Sequence, residues 1–274
     1  MQPKIGFRRG VRRPPGRSRL YPGLLLRLPT MLRTSLLLWL LLPCLTAQTG
    51  EEAETKRQQT EAVKEAVRQF QTAWPRGSTT EKAQAVQVLA RHEGTEVAMA
   101  LASKLRDDSS FVRKELANAL VKQKEPKTIP ALAAALQREL ADADGSLDTL
   151  RSVCQALGAS GDPRAISPLV NNLLSGNRLD DGWDDRVQAR LDGLGLIRHK
   201  DAVEELVGLF GRTGNAGRGG GRRLGGGNNA SNQRLQQGIR RNLRKLTGQE
   251  LSSQDEWRKW WRENKESFRF PEKG

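Results

Sequence analysis

The stretch GDPRAISPLVNNL, residues 161–173, decides how the chain is read. Its Gly-Asp-Pro opening is either a reactive loop or a joint between two helices. Comparing the chain with itself separates the two. The octet DPRAISPL (162–169) has cognates in GTEVAMAL (94–101), EPKTIPAL (125–132) and HKDAVEEL (199–206), at spacings of 31, 37 and 37 residues. Each octet ends in leucine, at Leu101, Leu132, Leu169 and Leu206. Four residues on stands a second large apolar group: Leu105, Leu136, Leu173 and Phe210. Twelve residues upstream stands a third: Leu89, Leu120, Leu157 and Leu194. Three aligned apolar positions in four copies mark an internal repeat.

Each unit reads as two helices, with the i, i+4 apolar pair turning one face of the second helix inward. Asp162 can cap free N–H groups, and Pro163 presets the backbone of the first helical position. Glu125-Pro126 repeats this with a weaker cap. The opening is therefore a helix start, a joint and not a reactive loop. Pro130 and Pro168 fall just beyond the first turn, which predicts a bend in those two helices.

The segment DDSSFVRKELANAL (107–120) resembles the loop and first helix of a HEAT repeat, with Asp107 or Asp108 before the turn and Val112-Arg113 after it. The segment ALGASGDPRAISPLVNNLL (156–174) resembles the shorter HEAT-like units first associated with bilin lyases. The resemblance covers about 80–212. Its periods are shorter than the typical ~40–47 residues, and the fourth copy, HKDAVEEL, lacks the proline. It implies an all-α fold, an α-solenoid: a right-handed superhelix of antiparallel helix pairs, with second helices lining the concave side and capping helices at both ends. The repeats proper span 77–212.

Before the repeats, EEAETKRQQTEAVKEAVRQFQTAW (51–74) has apolar residues at Val63, Val67, Phe70 and Trp74, which predicts an N-terminal helix within 48–76 that covers the first repeat. Ser78-x-x-Glu81 is a capping box opening the next helix. Behind the repeats, RTGNAGRGGGRRLGGGNNASN (212–232) is low-complexity, and 213–232 reads as a flexible insertion. Its arginines, Arg212, Arg218, Arg222 and Arg223, either grip an anionic partner or decorate a solvated linker. Asn229-Ala-Ser231 fits a glycosylation sequon, and no Gly-Lys-Ser/Thr or preceding strand makes the loop a phosphate cradle. In 233–274, Leu235, Ile239, Leu243 and Leu246 share one helix face that stops at Gly248, and Ser253-x-x-Glu256 opens a last helix. That helix carries Trp257, Trp260 and Trp261, with Phe268 beyond. The stripe either seals the open end of the solenoid or forms an aromatic docking patch. The whole tail resembles the closing segment of some exported bacterial HEAT-repeat proteins.

The formal charge of +15 is a local property. Residues 1–34 hold nine basic side chains and no acid; the remaining 37 basic residues face all 31 acids, a surplus of 6. The segment MLRTSLLLWLLLPCLTAQTG (31–50) explains the first cluster. It has the layout of a secretory signal peptide: a positive start, an apolar block at Leu36–Leu42, then small residues. Residues 1–47 are thus expected to be a leader, with cleavage after Ala47, although Leu45 is imperfect at its −3 position. Met31 is an alternative first residue, which would make 1–30 an overlong start. The apolar run falls short of the ~20 residues of a spanning helix, and Pro43 fits a lipid-modified Cys44 poorly. The expectation is an exported protein, periplasmic, cell-surface or secreted in a bacterial host, with no membrane span after cleavage. Without the leader, Cys154 is the only cysteine, so no internal disulfide forms and stability rests on a packed core. Cys154 lies among Leu150, Val153 and Leu157 at helical spacing and reads as a buried hydrophobe.

The function expected is a non-catalytic scaffold binding a protein or peptide along the second helices, with candidate contacts Gln137, Arg138, Asn171, Asn172, Glu204 and Glu205. One alternative is a nucleic-acid-binding protein, similar in architecture to HEAT-like DNA glycosylases, using the basic region 212–245 with Arg234, Arg240, Arg241, Arg244 and Lys245. The signal peptide and near-neutral repeats make nucleic acid unlikely as a partner. A second alternative is a subunit of an enzyme such as a lyase. No metal-ligand set, nucleophile–base pair or cofactor fingerprint is legible, so no catalytic residue, metal or cofactor is expected. The acids Asp180, Asp181, Asp184 and Asp185 around Trp183 offer only a weak cation site.

Overall fold

The computed structural model describes residues 34–142, 145–174, 183–215 and 227–271. The chain divides into two compact units, Met1–Thr55 and Lys56–Gly274. In the first, the described part is the opening of helix α1 (Thr34–Ala73). The anticipated leader core and N-terminal helix are therefore one helix, and the expected cleavage point lies inside it. Residues 1–33 lie outside the described residues. No described helix is both long and apolar enough to cross a membrane.

The second unit is an α-solenoid, with no strand among the described residues. After the end of α1 come α2 (Thr79–Leu89), α3 (Thr95–Ala102), α4 (Ser110–Gln123), α5 (Ile129–Ala141), α6 (Leu147–Ala159), α7 (Ile166–Val170), α8 (Trp183–Leu194), α9 (Lys200–Asn215), α10 (Gly227–Thr247) and α11 (Gln254–Asn264). Two layers result. Helices α2, α4, α6, α8 and α10 pack in succession as the first layer, and α3, α5, α7, α9 and α11 follow each other as the second. The layers meet where α3 packs on α4, α5 on α6, α7 on α8 and α9 on α10.

The repeat register accounts for the core. All twelve aligned apolar positions, from Leu89 through Phe210, are buried, none more than 4% exposed. Each such side chain contributes roughly 1.5–3 kcal/mol by leaving water. The helix starts are those the sequence predicts. Ser78 and Ser253 form complete capping boxes with Glu81 and Glu256, and the Asp162 carboxylate accepts from the Arg164 N–H at 2.8 Å. Pro126 and Pro163 each open a 3-10 turn, and the α-helix proper begins after it at Ile129 and Ile166. Pro130 and Pro168 thus lie in a first turn, whose N–H groups have no intrahelical acceptor to lose, so the 3-10 start replaces the expected bend.

Both ends of the stack are covered. From α1, Val63, Ala66, Val67 and Phe70 pack on the core, and Phe70 leads into Trp74 at 4.9 Å between ring centroids. At the other end, α10 and α11 form a fifth helical pair. Trp257 and Trp261 there hold the i, i+4 relation that Leu206 and Phe210 hold in α9, and both are buried. Helix also reaches into both ends of the segment expected as a flexible insertion, since α9 runs to Asn215 and α10 starts at Gly227.

Helices α6 and α8 of the first layer approach closely at a pair of glycines. A Cβ on Gly193 would stand 2.5 Å from the Cys154 carbonyl oxygen, and one on Gly158 would run into Gly193 O. Only glycine permits that backbone approach.

One charged pair lies inside. Arg113 of α4 donates through Nε to Glu139 of α5 at 2.6 Å, and through Nη1 to the carbonyls of Asp107 and Asp108 at 3.0 and 2.9 Å. The guanidinium ties the loop before α4 to the helix after it. Glu139→Ala leaves the Arg113 charge buried and unpaired and is expected to cost about 3–5 kcal/mol. The double replacement Arg113→Met with Glu139→Leu should recover most of that loss in urea denaturation; equal losses in both variants would contradict this assignment.

Candidate functional site

The second layer presents its outer side in a series of grooves between consecutive helices, and the repeat register places equivalent residues in each. Aligning Leu101, Leu132, Leu169 and Leu206 makes Ala102 and Ser103 the counterparts of Val170 and Asn171. Pro130 and Ala131 likewise become the counterparts of Glu204 and Glu205. Two cavities occupy that same place in the repeat. One, of about 420 Å³, lies between α3 and α5 and has walls of Ala102, Leu105, Ala131 and Ala134 with Arg106 and Arg138 beside them. The other, of about 450 Å³, lies between α7 and α9, over Ile166 and Val170, with Asn171, Asp201, Glu204 and Glu205 around it.

The structure thus brings Asn171, Glu204 and Glu205 together and sets Arg138 in a separate groove. Gln137 and Arg138 are exposed on α5 as expected, and Arg138 donates to the Leu105 carbonyl across the groove at 3.4 Å. Asn171 and Asn172 are exposed but do not sit on a second helix. Helix α7 ends at Val170, Asn171 is its C-cap, and Asn172 takes the left-handed conformation at φ 55°. Asparagine tolerates that conformation better than most residues, which gives the early stop a local cause. A second cause comes from α8. Arg190, 5% exposed, donates to the carbonyls of Leu169 and Asn171 and so caps the end of α7. Burial pulls its pKa down from the ordinary arginine value. Leu173 stays in the core although the helix has ended.

Glu204 and Glu205 have cationic neighbours. Lys265, from the segment after α11, pairs with Glu204, and its pKa is raised, chiefly by that hydrogen bond. Arg212 lies 3.4 Å from Glu205. The terminal segment crosses the start of α9: Lys200 Nζ donates to Lys265 O and Glu266 O, Arg198 donates to Pro271 O, and the Arg198 guanidinium lies over the Phe270 ring.

The basic region at 212–245 is largely engaged. Arg234 pairs with Asp184 at 3.0 Å, Arg241 with Asp192 at 2.7 Å and Arg244 with Glu250 at 3.4 Å. Arg240 is half-buried. Arg218, Arg222 and Arg223 lie outside the described residues. The tryptophans are no open patch: Trp257 and Trp261 are core residues, and Trp260 is half-buried against Phe268, edge to face at 5.7 Å. Trp257 Nε1 is satisfied by Leu251 O at 3.0 Å.

No group of three or more His, Cys, Asp or Glu that could hold a metal occurs among the described residues. Of the acids around Trp183, Asp180 and Asp181 lie outside those residues, while Asp184 and Asp185 are paired with Arg234 and Arg151. Cys154 is fully buried, and that burial pushes its thiol up to about 12. The unfolded thiol ionises near 9, so the thiol's contribution to stability is intact below that pH and is lost between about pH 9 and pH 12. At pH 8 the native thiol should stay unmodified by a maleimide, as read by peptide mapping, and react fully in urea. Rapid native labelling of Cys154 would show the site to be open.

Sequence comparison reaches the same architecture independently. A family model described as HEAT repeats matches residues 76–143, the span of α2 to α5, and one described as PBS lyase HEAT-like repeat matches residues 151–175, from inside α6 to just past α7. No curated protein matches the chain. With the motif in two consecutive stretches and helical pairs stacked through both, the chain is a HEAT-repeat protein.

Proposed function

We propose that this chain is a non-catalytic scaffold that holds a protein or peptide along the outer face of its second-layer helices. The observation that carries the reading is the contrast between the two sides of those helices. Inward, the same register holds leucine in every copy. Outward, the register holds Pro130 and Ala131 in one copy and Glu204 and Glu205 in another, around open grooves of about 420 and 450 Å³. A face that keeps its shape while its chemistry changes from repeat to repeat is suited to reading an extended partner. Such a surface binds through many modest contacts and needs no reacting group.

The leader pattern at 31–50 supports a place of action outside the cytoplasm. The near balance of charge beyond residue 34, 37 basic residues against 31 acids, argues against a nucleic-acid role.

Photo-crosslinking side chains at Gln137, Arg138, Glu204 and Glu205 should trap a partner in the native host, whereas the same group at Lys114 on the first layer should not. Equal trapping from both layers would remove the second-layer face as the binding surface. Fractionation of that host with N-terminal sequencing should yield a chain starting near Gln48 outside the cytoplasm; an intact leader on a cytoplasmic protein would end the export reading.

A further inference from the structure

The two grooves occupy the same place in the repeat and carry opposite charge. In the α3–α5 groove the walls are alanine, leucine and proline, and the charged groups there are Arg106 and Arg138. Both are exposed, and neither forms an ion pair with a described residue. In the α7–α9 groove Asp201, Glu204 and Glu205 rise beside Ile166 and Val170. Between them, Ala133, Ala134, Ser167 and Pro168 are the counterparts of Ala102, Ser103, Pro130 and Ala131 and are likewise uncharged, while Arg164 stands at the register position of Asp201 and is paired with Asp162. The second-layer face thus carries a cationic groove between α3 and α5 and an anionic one between α7 and α9.

We infer that this face is a polarised track for an extended peptide carrying one acidic and one basic anchor. The inference rests on the scaffold reading above and adds the chemistry of the partner. The acidic residue, with an aliphatic neighbour, fits the alanine-walled groove under Arg106 and Arg138. The basic residue fits the groove with Glu204 and Glu205, its methylenes on Ile166 and Val170. The ion pairs that Glu204 and Glu205 make with Lys265 and Arg212 are solvent-exposed, so a partner's cation exchanges with them at little cost. Successive repeats pack directly through their first-layer helices, packed helices stand about 8–10 Å apart, and the two grooves, two repeats apart, are therefore separated by roughly 20 Å. An extended chain advances about 3.3 Å per residue, which sets the anchors about six residues apart. Alternation of side chains along such a chain turns residues an even number apart to the same face, which the six-residue spacing satisfies.

The test pans a random twelve-residue peptide library on the full chain and measures the selected peptides by fluorescence anisotropy. The expected result is an acidic and a basic residue about six positions apart, in one fixed order. Arg106→Glu with Arg138→Glu, or Glu204→Lys with Glu205→Lys, should each weaken binding by about tenfold or more at low salt, with the loss shrinking as salt screens the charges. The variant carrying all four reversals should prefer the peptide with its two anchors exchanged. That readout requires a folded chain and cannot arise from lost stability. Peptides that bind without the charge pair, or whose binding ignores the four reversals, overturn the polarised track and leave the scaffold intact. A library that yields no binder overturns both.

Discussion

In each of four repeats a leucine from the second layer (Leu101, Leu132, Leu169, Leu206) is driven between the two helical layers, where it is shielded from water almost completely. A helical pair on its own leaves such a residue half in water. Stacking another pair against it completes the burial, so each repeat is stable only through its neighbours. This is why the ends of the stack matter as much as its middle. At the start, Phe70 and Trp74 cover the face that a preceding repeat would cover, with the ammonium groups of Lys82 and Lys104 over the indole at 5.4 and 5.7 Å. At the far end, α11 offers tryptophans where the other second-layer helices offer leucine and phenylalanine. Larger rings suit an end position, where one helix must shield area that two would share elsewhere.

Arginine has a second job in this architecture. Arg113 and Arg190 each satisfy carbonyl groups at a connection between helices, Arg113 in the loop before α4 and Arg190 at the end of α7. The connections between helices leave carbonyls with no intrahelical donor, and a guanidinium, with five donors on a planar fork, satisfies two at once. Arg113 adds a carboxylate partner and stays fully paired inside. Arg190 has only carbonyls as acceptors, and its depressed pKa records the cost of that burial. These two arginines are thus committed to holding joints, whereas Arg106 and Arg138 are exposed.

How much of this the sequence discloses depends on whether a feature is local. The leucine register, both capping boxes, the Asp162 cap and the covering role of Val63, Val67 and Phe70 are consequences of spacing along one chain, and they were legible. The fifth pair was not, because its second helix replaces the proline-and-leucine octet by Trp257 and Trp261 and lies 51 residues beyond Leu206 rather than 37. The early end of α7 had a signal in Asn171-Asn172, whose side chains favour leaving a helix, but the apolar spacing of Leu169 and Leu173 argued for continuing it. The decisive partner, Arg190, comes from the next repeat, and no spacing rule points to it. The buried state of the tryptophan stripe is of the same kind: amphipathic spacing says that one face is apolar and leaves open what covers it.

The candidate face shows the same division between register and context. Residues Ala131 and Glu205 are equivalent by alignment, yet only the grooves between helices reveal what that equivalence means: one place in the repeat, found in two grooves with different chemistry. A solenoid makes this possible because its core positions are fixed by burial while positions such as Pro130 and Glu204 are exposed. Binding specificity can therefore vary along the stack without disturbing the fold, provided each substitution stays on the outer side of its helix. In this chain one groove carries cations and another, two repeats on, carries anions, an arrangement that would give a bound chain a direction as well as a place.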